Sequence, residues 1–330
     1  MKNEKFAAAL RTSFIEVRKV VCAVANSSCF ILHSSLFIAF MLASCSERQE
    51  AMLYSVDSTG TDTTVLRVAV MPAINCLPVY YAERSGLADS LGLEIELHRF
   101  QAQMDIDTAI INGHVDIAYT DLIRCIRLSK QVSITPFASC DEPLSLISLK
   151  TKRVKKVNQM KEQMIAISRL SATDYWCDRV LDSTRTSYDD IYRPQVNDVR
   201  LRAEMLRLGL IDAAMMGEPF ATWMTMLGHK RLFQSKGKRP QLYAWAATRA
   251  TTQQQKAFRN LLDVATESLE NASQADTLRN ILKQDFLLPA EAVDSLALQP
   301  LNKPVDIRQS DIEEAQKWLK RKYDNKKRRK

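Results

Sequence analysis

The sequence predicts an α/β protein built as two lobes with a hinge and a cleft between them, and three observations carry that expectation. Strand-like apolar runs alternate with amphipathic helical runs over residues 67–121. A second unit of the same kind follows over residues 164–218. The chain then returns through a polar stretch to one more apolar strand before a helical C-terminal region. Alternation of strand and helix argues for a parallel sheet. One α/β unit inserted within another needs two connecting segments, the layout of a protein that closes about a hinge.

The elements follow in order. Residues 65–71 read as a strand ended by Pro72, 77–91 as an amphipathic helix and 93–100 as a second strand. "DIAYT" makes a third strand, and a helix runs on to Leu128. Residues 131–139 and 144–149 read as two further strands. The strongly basic "KTKRVKKVNQMKEQ" then marks the crossing into the second lobe. There, strands at 164–168, 193–196 and 212–216 alternate with helices at 171–183 and 199–208. "LFQSKGKRPQ" brings the chain back to a strand at 242–248. From Thr252 the pattern is helical, with Pro289, Pro300 and Pro304 dividing the pieces. The expected division is lobe one from 65–152 and 240–330, and lobe two from 153–239.

In open α/β sheets ligands sit beyond the carboxyl ends of the strands, which points to the loops at 72–76, 101–105 and 119–121. Thr120 and Asp121 end the third strand; Asp121 either caps the following helix or accepts hydrogen bonds from a ligand. Ser168, Arg169, Ser171 and Thr173 end a strand and open a helix. Ser171 with Asp174 three residues on reads as a capping box, while exposed N–H groups, hydroxyls and the Arg169 fork could equally hold an anion. Glu218 is either a cleft acceptor or a charge favoured at a helix N-terminus.

The net charge of +8 is carried at the ends. Residues 320–330 contribute +7 and residues 1–44 contribute +3, leaving −2 for the body, so no broad basic surface or nucleic-acid signature is expected. The basic end reads as a solvated, frayed tail. Cys76, Cys125, Cys140 and Cys177 are scattered, with no metal-ligand spacing to a histidine, and are read as free buried thiols without a metal. Catalytic serine, zinc-protease and nucleotide-loop motifs are absent, and eight glycines leave little room for a phosphate cradle, so no cofactor and no catalytic residue is expected.

The first 45 residues carry a separate signal. A basic segment, an apolar stretch over 30–43 and then "LASC" read as a lipoprotein signal peptide (1–44) with Cys45 as the acylated residue. A polar tether follows over 45–64. The alternative is an uncleaved transmembrane anchor, since residues 20–43 hold no formal charge.

"LPVYYAERSGLADSLGLEIEL", "INGHVDIAYTD", "MIAISRLSATDYW" and "LIDAAMMGEPFATW" followed by "GHKRL" resemble, in the same order, the substrate-binding proteins of ABC importers in the nitrate, sulfonate, taurine and thiamine-precursor group. The resemblance implies the type II periplasmic-binding fold and a non-catalytic, monomeric binder of a small polar or anionic molecule. Its partners would be permease and ATPase subunits, and it would be held outside the cytoplasm by its lipid. It also implies that the loop at Asn75 and Cys76 lines the cleft, and it favours the ligand role for Asp121. Enzymes of the same fold and a sensory ectodomain are the competing classes.

Overall fold

The computed structural model describes residues 65–271, 274–296 and 301–328. The expected signal peptide, Cys45 and the expected tether lie outside the described residues. Two mixed sheets organise the rest.

The first sheet has the order β2-β1-β3-β9-β4. Strands β1 (Val65–Val70), β2 (Glu94–Arg99) and β3 (Ile117–Asp121) are parallel, whereas β9 (Tyr243–Ala247) runs antiparallel to both β3 and β4 (Thr135–Cys140). The sheet is thus mixed rather than purely parallel, because β9 arrives directly from the other lobe with no crossover helix to reverse it. All five residues of β3 and of β9 are buried, as central strands covered on both faces should be. Helix α1 (Leu77–Ser85) begins with Pro78 in its first turn, where a missing N–H costs nothing. Gly86 (φ +69°) ends it in the left-handed region, so the expected single helix splits into α1 and a short α2 (Leu87–Ser90). Helix α3 (Gln103–Ile111) joins β2 to β3, and α4 (Leu122–Leu128) follows β3.

The second sheet has the order β6-β7-β5-β8. It contains β5 (Ser145–Ser148), β6 (Ile165–Ala166), β7 (Ala213–Met216) and β8 (Lys230–Gln234). Two expectations are corrected here. Residues 145–148, assigned above to lobe one, pair antiparallel with β7 and β8, so the chain crosses between Cys140 and Ser145, well before the basic stretch. The cause is local: β4 is the edge of its sheet, and Pro143 interrupts the chain there with no N–H to continue a ladder. Strand β8 was missed because its half-buried, charged sequence gives no apolar period. Helices α5 (Ala172–Ser183), α6 (Val199–Arg207) and α7 (Phe220–Met226) complete this lobe.

The two crossing segments are bonded to each other, Ser235 N–H donating to Leu144 O at 2.8 Å and Leu144 N–H to Ser235 Oγ at 2.9 Å. After β9 come α8 (Thr252–Leu269), α9 (Ala275–Gln284), α10 (Ala290–Ser295) and α11 (Gln309–Arg328). A capping box at Thr251 and Gln254 starts α8. The basic end is not a frayed tail: α11 runs through Arg328, and buried Ala315, Trp318 and Leu319 form its inner face. Lys322, one turn beyond Trp318 on that face, pairs with Asp174 at 2.9 Å and Asp178 at 2.7 Å, both on α5.

Candidate ligand-binding cleft

Loops at the carboxyl ends of strands from both sheets meet around a cavity of about 30 Å³. Lobe one contributes Met71 to Ala73 after β1, Gln103 at the start of α3, and Tyr243 on β9; the first crossing contributes Glu142. Lobe two contributes Ser168, Thr173, Asn197, Arg202 and the Gly217–Glu218 turn. The lobes touch at the rim. Ile74 N–H donates to Glu218 O at 3.2 Å, Ala172 N–H to Asp121 Oδ2 at 3.3 Å and Arg124 Nη2 to Ser168 Oγ at 2.8 Å.

Of the residues expected from sequence, Ser168, Thr173 and Glu218 line the cavity. Ser168 and Thr173 are locked together, Ser168 N–H donating to Thr173 Oγ1 at 2.9 Å. Glu218 caps α7 by accepting from Thr222 N–H at 2.9 Å and pairs with Arg231 at 3.1 Å. Asp121 performs the capping role first: Oδ1 accepts from Arg124 N–H at 3.0 Å while Oδ2 reaches across to Ala172. Burial pushes its carboxyl up to about 6 despite Arg124 beside it. Asn75 stands behind the cavity wall, donating to Glu142 Oε2 at 2.8 Å and to Tyr119 Oη at 3.3 Å. Cys76 and Thr120 are fully buried and outside the wall, and burial raises the Cys76 thiol. Ser171 caps α5 through Thr173 N–H; Asp174 completes this turn by accepting from Leu170 N–H rather than from the cap itself.

Arg169 departs from expectation. It is exposed, donates to the carbonyl of Arg193 at 3.1 Å and takes no part in the cavity wall. The backbone at Leu170 has φ +53°, which turns the loop sharply just after it. Tyr243 is the aromatic residue of the wall, and Tyr119 stacks on it from behind.

Two cavity groups were missed in the sequence. Arg202, 3 % exposed, donates to the carbonyls of Val196, Met215 and Asn197 and pairs with no carboxylate among the described residues. Its burial lowers the guanidinium to about 10. Glu142, 7 % exposed, accepts from Asn75 and from Tyr119 Oη at 3.0 Å. Burial pushes it up to about 8 against those two donors and a backbone hydrogen bond with Glu218. Gly217 packs so closely that a Cβ there would overlap Glu142 Oε1. An amphipathic-helix arginine such as Arg202 looks solvated in sequence; the one available hint for Glu142 was an acid followed by proline between two apolar strands.

A larger groove of about 350 Å³ lies among α6, α7 and the start of α10. No strand end reaches it, and its Arg207 is already paired with Glu204 at 2.7 Å. Among the described residues, no cluster of three His, Cys, Asp or Glu converges on a metal position, and no helix is long and apolar enough to cross a membrane.

The profile of the NMT1/THI5 like family matches residues 73–272, spanning both sheets. No curated protein sequence is similar enough to count as a match. Among solved structures, the chain is similar to the alkanesulfonate-binding protein SsuA from Xanthomonas axonopodis pv. citri bound to MOPS (TM-score 0.67, 18 % identity, covering 81 % of this chain and 95 % of that one). It is also similar to the periplasmic aliphatic sulphonate binding protein SsuA from Escherichia coli (0.63, 16 %, 79 % and 92 %). A third likeness is to the periplasmic nitrate-binding protein NrtA from Synechocystis PCC 6803 (0.61, 14 %, 76 % and 74 %). At these identities the likeness shows the fold, the two-lobed type II periplasmic-binding fold. With the family profile matching well over half of its length, this chain belongs to the NMT1/THI5 like family.

Proposed function

We propose that this chain is the substrate-binding component of an ABC importer and that it captures one small polar molecule, with an anionic group, between its lobes. The observation that carries the reading is the cavity at the strand ends, where buried Arg202 meets no carboxylate and Gln103 Nε2 meets no acceptor among the described residues. A buried donor without a partner is costly, and a guanidinium without a counter-charge more so. A ligand oxygen would satisfy both. The sulfonate- and nitrate-binding proteins of the same fold support an anionic ligand.

The role is non-catalytic in this reading. Glu142 is held by Asn75 and Tyr119, and Asp121 by the backbone N–H groups of Arg124 and Ala172, so both carboxyls are engaged by the fold. The lipid anchor is part of the proposal: Cys45 would be the acylated mature end, followed by a polar tether, which places the domain outside the cytoplasm beside its permease. Cys45→Ala should leave an uncleaved precursor; unchanged maturation and detergent partitioning would remove the anchor from the reading. Binding is tested by mass spectrometry of small molecules released on denaturing the purified protein, with solution scattering before and after the ligand is added back. A released anion and a smaller radius of gyration are expected. Turnover of the added molecule into a product would overturn the binder in favour of an enzyme.

A further inference from the structure

The charges around the cavity do not balance in place, and their imbalance describes a ligand. Arg124 is shared by Asp107 and Asp121, and Glu218 is matched by Arg231. Arg202 and Glu142 remain. Arg202 is held only by carbonyl oxygens. Glu142 is held by neutral donors, Asn75 Nδ2, Tyr119 Oη and the backbone of Glu218, with no lysine or arginine paired to it among the described residues. The two do not pair with each other, yet both line the same cavity.

We infer that the ligand is dipolar, with an acidic group bound by Arg202 and Gln103 and a cationic N–H group bound by Glu142. This rests on the binding reading above and narrows it. A plain anion would leave Glu142 without the cation that returns a buried carboxyl to its ordinary range. A plain cation would leave Arg202 unmatched. A molecule carrying both charges satisfies the two buried groups at once, which is how buried charges are ordinarily made tolerable. The ordinary range for a carboxyl is restored when a cation stands beside it, and Glu142, raised to about 8, is the cavity carboxyl that lacks one. The cavity of about 30 Å³ has room for roughly one water. Any such ligand therefore enters with the lobes apart, and each lobe then presents its own half of the site: Arg202 from lobe two, Gln103 from lobe one, and Glu142 from the crossing between them.

The test uses matched pairs that differ only by an amine: 2-aminoethanesulfonate against ethanesulfonate, and β-alanine against propionate, titrated calorimetrically into the purified protein. In at least one pair the aminated acid should bind about tenfold or more tightly than its partner, a difference of about 1.4 kcal/mol. Glu142→Gln should erase that advantage. Gln103→Leu should weaken both members alike. Equal or tighter binding of the unaminated acid overturns the dipolar assignment and leaves the anion-binding reading intact. An amine advantage that survives Glu142→Gln overturns the role of Glu142. Absence of binding by both pairs also overturns the dipolar assignment, and the broader reading is then decided separately by the molecule released from the protein.

Discussion

Two clusters of buried charge in this molecule differ in whether each charge finds a partner. In the first, Asp174 and Asp178 on α5 meet Arg193, Lys322 and the indole N–H of Trp318, and every acid faces a base. In the second, at the cavity, Arg202 and Glu142 are hydrogen-bonded to neutral groups only. The first cluster ties the C-terminal helix α11 to lobe two and reads as structure. The second leaves charge exposed to whatever enters, and strongly perturbed groups of that kind gather at functional sites.

The contrast predicts unequal costs. Asp178→Ala removes one of the two acids that Arg193 and Lys322 share and leaves the Trp318 indole N–H without its acceptor. Breaking a buried pair costs about 3 kcal/mol, or a melting-temperature drop of roughly 6 to 12 °C for a domain of this size. Scanning calorimetry should show that drop; a change under about 2 °C would mean the cluster is not structural. Next in size is Gly217→Ala, whose Cβ overlaps Glu142 Oε1. Overpacking costs about 1 to 3 kcal/mol. A Gly217→Ala, Glu142→Ala double variant should recover most of it, and additive losses would show that the overlap is not the cause.

The raised carboxyls add a pH dependence. A carboxyl whose folded pKa lies above its unfolded value contributes stability that is full below the unfolded pKa and lost as pH rises to the folded one. Glu142 should therefore make the protein less stable between its ordinary 4.5 and about 8, and Asp121 between 3.8 and about 6. Melting curves across pH should fall over both windows. Glu142→Gln should flatten the upper one and Asp121→Asn should leave it intact. A Glu142→Gln profile that still falls between pH 6 and 8 would assign the loss to another group. At the bottom of the scale, exposed Arg169→Ala should change stability by less than about 0.5 kcal/mol and leave ligand affinity unaltered.

The alternation over residues 67–121 was legible because each of β1 to β3 and its helix is made from local periodicity. The caps at Asp121 and Ser171 were legible for the same reason. Lobe membership of β5 was not, since "SLIS" would suit a buried position in either sheet and only its distant partners β7 and β8 decide. The site was half legible. Strand ends led to Ser168, Thr173 and Glu218, but burying Arg202 and Glu142 depends on how two lobes meet, which no local pattern records. Arg169 misled because proximity to a strand end says nothing about direction: the turn at Leu170 carries it outward.

The central claim, that the cavity is incomplete without a ligand, is tested most directly at Gln103. It is 4 % exposed and its Nε2 meets no acceptor among the described residues, so the fold gains little from it. Gln103→Leu should keep or raise the melting temperature of the ligand-free protein while weakening the ligand released from the wild-type protein by about tenfold, or 1.4 kcal/mol. Parallel loss of stability and affinity would show that the amide serves the fold, and unchanged affinity would show that the ligand lies elsewhere.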